Sequence, residues 1–100
     1  MKSEMTDINY LIVILTQAML GLVTPSLLGI AIDATNKAVT LHFAVDTLSP
    51  GLQTDIDDIA SEFEAFLYPS LPPIEVRVFE GYPSVEWPGW TARQVFRAKR

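Results

Sequence analysis

Two periodicities divide the chain. Ile8, Leu11, Ile12, Leu15, Met19 and Leu22 recur at the three-to-four spacing that lines one side of a helix. Val13, Ile14 and Leu20 widen that stripe until the helix is apolar around most of its girth, which predicts deep burial or a helix shared with a second subunit. Thr6 and Asp7 precede it, where a capping side chain and a negative charge stabilise a first turn. Gly21 and Thr24-Pro25 punctuate its end, and from Leu27 the period changes to two. Leu28, Ile30 and Ile32 alternate with Gly29, Ala31 and Asp33, and then Val39, Leu41, Phe43 and Val45 alternate with Thr40, His42 and Ala44. These are two half-buried strands. The polar link Ala34-Thr35-Asn36-Lys37, in which Asn36 tolerates a positive φ, predicts an antiparallel hairpin.

Ser49-Pro50 then reads as a cap followed by proline at the first helical position. The helix it opens has Leu52, Ile56, Ile59, Phe63, Phe66 and Leu67 as its core face and ends at Tyr68-Pro69-Ser70-Leu71-Pro72-Pro73. Ile74, Val76 and Val78 alternate with Glu75 and Arg77 as a third strand. After an irregular aromatic stretch, Thr91 to Lys99 can form a fourth, with Ala92, Gln94, Phe96 and Ala98 on one side and Arg93, Val95 and Arg97 on the other. The order αββαββ predicts one α+β domain over residues 1–100, a two-layer sandwich. Both helices lie on one face of a mainly antiparallel four-stranded sheet built from two hairpins, and the other face is open to water.

Composition narrows the function classes. At 100 residues and 49% hydrophobic, the chain supports a single core with little left for a deep pocket. A formal net charge of −5 argues against nucleic acid or an anionic membrane as partner, since both require clustered Lys and Arg, and favours a basic protein. Without cysteine there is no disulfide framework, thiolate metal site or cysteine nucleophile, which suits a reducing cytoplasm. The apolar run Tyr10 to Val23 is too short to span a bilayer, and its leader carries two acids against one lysine, unlike a signal peptide.

Catalytic candidates are few. His42, the sole histidine, falls on the polar side of its strand without a paired nucleophile and reads as a solvent-face residue. No phosphate loop, nucleophile elbow or zinc-protease helix motif is present, which removes the common motif-bearing enzyme classes without excluding an unfamiliar enzyme, and the expectation is a non-enzymatic domain with no metal or cofactor. The usable feature is acidic. Asp55, Asp58 and Glu62 share one edge of the second helix and Asp57 and Glu64 line the other, a surface that serves either solubility or the steering of a cationic partner. Tyr82, Trp87 and Trp90, in a proline-containing loop, either close over the core or anchor an interface.

The segment Leu20-Gly21-Leu22-Val23-Thr24-Pro25-Ser26-Leu27 followed by Ile30-Ala31-Ile32 resembles the helix-to-strand junction of small bacterial immunity proteins of contact-dependent growth inhibition and related polymorphic toxin systems. The similarity extends through Val39-Thr40-Leu41-His42-Phe43, Asp55-Ile56-Asp57-Asp58 and Ile74-Glu75-Val76-Arg77-Val78, so its motifs are structural rather than catalytic. Trp87-Pro88-Gly89-Trp90 and Arg97-Ala98-Lys99-Arg100 depart from the pattern. The resemblance implies a cytoplasmic protein that neutralises a cognate toxin domain, a nuclease by the charge argument, through stoichiometric binding. On that reading Asp55, Asp57, Asp58 and Glu62 are the expected contacts, aided by Tyr82, Trp87 and Trp90. The competing expectation is a homo-oligomeric structural or adaptor domain, such as a homodimer formed through a sheet edge or the apolar first helix.

Overall fold

A computed structural model describes residues 8–21, 24–35, 37–67 and 73–98, apart from the Leu67 side chain. Its elements follow the expected order: α1 (Ile8–Met19), β1 (Leu27–Ala34), β2 (Val39–Val45), α2 (Pro50–Leu67), β3 (Ile74–Glu80) and β4 (Arg93–Arg97), with a short 3-10 turn at Pro88–Thr91 before β4. The fold is α+β with two helices and a four-stranded mixed sheet of order β3-β2-β1-β4.

Local chemistry accounts for most boundaries. Gly21, at φ 81°, takes the left-handed position just beyond the end of α1, where a side chain would be strained. Ser49 Oγ accepts the Leu52 N–H at 3.1 Å, and Pro50 is the first residue of α2. In the β1–β2 connection Thr35 Oγ1 accepts the N–H groups of Lys37 and Ala38, and the Thr35 N–H donates to the Ala38 carbonyl. Asn36, like Thr6, Asp7, Leu22 and Tyr68 to Pro72, lies outside the described residues.

One core fills the space between the helices and one sheet face. Leu11 and Leu15 of α1 and Leu52, Ile56, Ile59 and Phe63 of α2 meet Ile30, Ile32, Leu41, Phe43 and Val45. The helices do not bury all of their expected apolar positions. Val13 is 58% exposed and Leu20 72%, so α1 has an open apolar flank instead of being buried around its girth, and Phe66 near the end of α2 is half exposed.

The strand pairing corrects the expected second hairpin. β1 and β2 do pair antiparallel, Ile30 opposite Phe43 and Ile32 opposite Leu41. β3, however, pairs parallel with β2, Phe43 beside Val78, because α2 carries the chain back along the sheet before β3 begins. β4 pairs antiparallel with β1 on the opposite edge, so the sheet is mixed.

The chain must therefore pass from one edge to the other, and it does so across the face expected to be open. Residues 81–92 make that crossing, and Trp87 lies against Leu28, Ala31 and Ala44 in a second apolar cluster. Two bulges adapt the strands. Between Leu27 and Gly29 the β1 register shifts, which moves Leu28 to the Trp87 side instead of the Ile30 side. A second shift opposite Ile30 and Ala31 lets Val95 and Phe96 both pack towards the helix-side core, where strict alternation would separate them.

Candidate functional site

The two sheet faces present different chemistry. On the helix side, α2 turns Leu52, Ile56, Ile59 and Phe63 inward, which leaves its carboxylates outward by helical spacing. Asp57, Asp58, Glu62 and Glu64 are exposed and Asp55 is half-buried. The helix contains no Lys or Arg, and none of these carboxylates forms an ion pair among the described residues. Asp57 is held by a neighbour one turn back, Gln53, whose Nε2 donates to Asp57 Oδ1 at 2.9 Å.

This acidic surface adjoins the apolar flank of α1. Asp58 and Glu62 share a shallow groove with Ser61, Gln17, Ala18 and Leu20. Beside it, Ile12, Val13 and Leu20 line an almost wholly apolar depression with Thr16 and Gln17. The arrangement is a hydrophobic patch bordered on one side by carboxylates that form no ion pair among the described residues.

The aromatic loop lies on the other side of the sheet. Trp87 is only 1% exposed and belongs to the core, so it offers no surface for an interface. Small residues make room for its ring: a Cβ at Gly29 would stand 3.4 Å from it, and one at Gly89 would stand 2.7 Å from both Trp87 and the His42 Cβ. Tyr82 and Trp90 are exposed, with Trp90 under the Arg97 guanidinium at 5.2 Å from its ring centre. Gln94 secures the loop by donating from Nε2 to the Gly89 carbonyl at 2.8 Å. The sheet thus separates Tyr82 and Trp90 from the acidic helix, and the two expected contact groups do not converge.

His42 differs from its expected solvent-face role. It is 7% exposed, covered by the same loop, and its Nδ1 has no hydrogen-bond partner. Burial holds its pKa below the ordinary 6.5, opposed by the charge of Asp33 and reinforced by that of Arg77. Among the described residues no nucleophile or carboxylate hydrogen-bonds to its Nδ1. Among the described residues no group of three His, Asp or Glu side chains is placed to hold a metal ion, and no helix is long and apolar enough to cross a membrane. Compared with protein-family models and with curated proteins, the chain matches none.

Proposed function

We propose that this protein is a non-enzymatic immunity protein that neutralises a basic toxin domain by stoichiometric binding through its helical layer. The observation that carries the reading is the α2 surface: carboxylates that form no ion pair among the described residues, next to the exposed Val13 and Leu20 of the α1 flank. Negative charge accelerates encounter with a cationic partner, and the apolar patch supplies the area that slows dissociation. A nuclease is the favoured toxin class, because the lysines and arginines that grip phosphate are complementary to such a surface. The resemblance of residues 20–32 to immunity proteins of contact-dependent growth inhibition points the same way.

The test is calorimetric and kinetic titration against the toxin domain encoded immediately upstream, alongside a toxicity assay. One-to-one nanomolar binding with loss of toxicity supports the reading, and absence of both overturns it. Replacing Asp55, Asp58 and Glu62 by lysine adds two charges at each site and moves the formal net charge from −5 to +1. The association rate should then fall by about tenfold or more at low salt and lose its salt dependence. Tyr82→Ala and Trp90→Ala should leave binding unchanged, and a large loss there with none on charge reversal would move the interface to the loop side.

A further inference from the structure

The open edge of β3 carries a sequence that is complementary to itself. β3 ends the sheet, with β2 on one side and no strand among the described residues on the other. The Val39 N–H donates to the Pro73 carbonyl at 2.9 Å and the Gly81 N–H donates to the Val45 carbonyl at 2.8 Å. Because backbone groups alternate sides along a strand, these bonds at both ends turn the odd-numbered residues Glu75, Arg77 and Phe79 towards β2. The N–H and C=O groups of Ile74, Val76 and Val78 therefore point off the edge.

We propose that two copies of this chain pair antiparallel through β3 about a two-fold axis at Val76, joining two sheets into one. In that register Val76 meets its own counterpart, and Ile74 meets Val78 of the other copy. These are the residues whose backbone groups are free, so each of those pairs exchanges both of its N–H···O bonds. Glu75 then faces Arg77 of the second copy, and Arg77 faces Glu75. Both are non-hydrogen-bonded pairs, whose Cα atoms approach to about 4.5 Å and bring the side chains closest.

Exposure fits this register. Val76 is 37% exposed although it stands on the core-facing side of the strand, where a second copy would cover it. The Glu75 and Arg77 side chains are 53% and 63% exposed, and their one ion pair is a long contact of 3.4 Å within the same strand. Charges on an edge ordinarily repel a neighbouring strand, but the order Ile-Glu-Val-Arg-Val turns them into matched pairs in the antiparallel, Val76-centred register.

Sedimentation velocity across a wide concentration series, with the two reciprocal single variants, tests the pairing. The unmodified protein should show a reversible monomer–dimer equilibrium. Arg77→Glu sets carboxylate against carboxylate at both cross-strand pairs, and Glu75→Arg sets guanidinium against guanidinium. Each variant alone should therefore dimerise about tenfold more weakly or worse. An equimolar mixture of the two forms heterodimers in which every cross-strand pair again has opposite charges, and it should recover the affinity to within about threefold of the original. Circular dichroism checks that both variants keep the fold, as substitutions at exposed side chains should allow. Three results would overturn the proposal: a strictly monomeric parent protein, single variants that dimerise as the parent does, or a mixture that fails to recover. A parent that is monomeric alone yet loses toxin binding in both variants would assign the edge to the toxin instead.

Discussion

Truncating Trp87 to alanine tests whether the loop crossing the sheet is a second structural layer. The residue is 1% exposed, packed against Leu28, Ala31 and Ala44. A tryptophan side chain removes ~200 Å² from water. At ~25 cal/mol per Å² that corresponds to ~5 kcal/mol, an upper value because the denatured chain already covers part of its apolar surface. Some collapse of the loop onto Ala31 and Ala44 recovers contact, so the expected loss is about 3–4 kcal/mol, within the range for large-to-alanine core changes. A domain of this size has ~5–15 kcal/mol in total. With a urea dependence of about 1.3 kcal/mol per M, the midpoint should fall by roughly 2–3 M. Far-UV ellipticity is the right readout, because the substitution itself alters fluorescence. Trp90→Ala is the comparison: that residue is 39% exposed and its ring stacks on Arg97, so its loss should be about 1 kcal/mol or less. A Trp87→Ala loss below about 1 kcal/mol, or equal losses at the two tryptophans, would refute the layer.

Two further predictions probe the same face. Gly89→Ala puts a Cβ at 2.7 Å from both His42 and the Trp87 ring and should cost about 1–3 kcal/mol in thermal or urea unfolding. Gly51→Ala, with nothing within 4 Å and a helical backbone, should be neutral or stabilising. For His42 the pKa is lowered in the folded state, so the unfolded chain binds the proton more readily. Its contribution is complete above the ordinary value of 6.5 and is lost progressively as pH falls below it towards the lowered folded pKa. Urea unfolding at pH values from neutral to mildly acidic should show stability falling as pH falls, and falling less steeply in His42→Gln than in the parent.

The β1–β2 hairpin and the core stripe of α2 were legible because period and capping chemistry agreed there: Ser49-Pro50 at the start of the helix, and alternation on both sides of Thr35. Phe66 and the outer flank of α1 misled for a common reason. Apolar spacing tells which residues can share a face, and a helix with more apolar positions than its neighbours can cover leaves some in solvent. Strand partners were illegible because alternation is identical for parallel and antiparallel neighbours. A clue did exist. Gly29, Ala31 and Ala44 on the supposed water face are small rather than charged, and they leave the space that the Trp87 ring fills. Bulges hid in the same way, since one extra residue at Leu28 or Val95 reverses the side of everything beyond it.

That crossing loop also decides how the surface can be used. A standard protein interface covers about 800 Å² on each partner, against a total of 5975 Å² here. Two layers flank the sheet, with sheet-to-layer spacing of about 10 Å on each side, so a patch of that size centred on α2 does not wrap round to Tyr82 and Trp90. Trp87 shows what the aromatic loop is for: the chain has to travel from β3 to β4 across the face that α2 leaves bare, and the buried ring holds it there. Covering this face commits it to stability, and the two surfaces proposed for binding are the helical layer and the β3 edge. These two differ in character, one acidic and apolar without self-complementarity, the other charge-balanced and self-complementary. The proposed toxin on α2 and the proposed second copy on β3 therefore make separable demands. Charge reversal on α2 should weaken toxin binding without shifting the dimer equilibrium, and the reciprocal variants at Glu75 and Arg77 should shift the dimer equilibrium without weakening toxin binding.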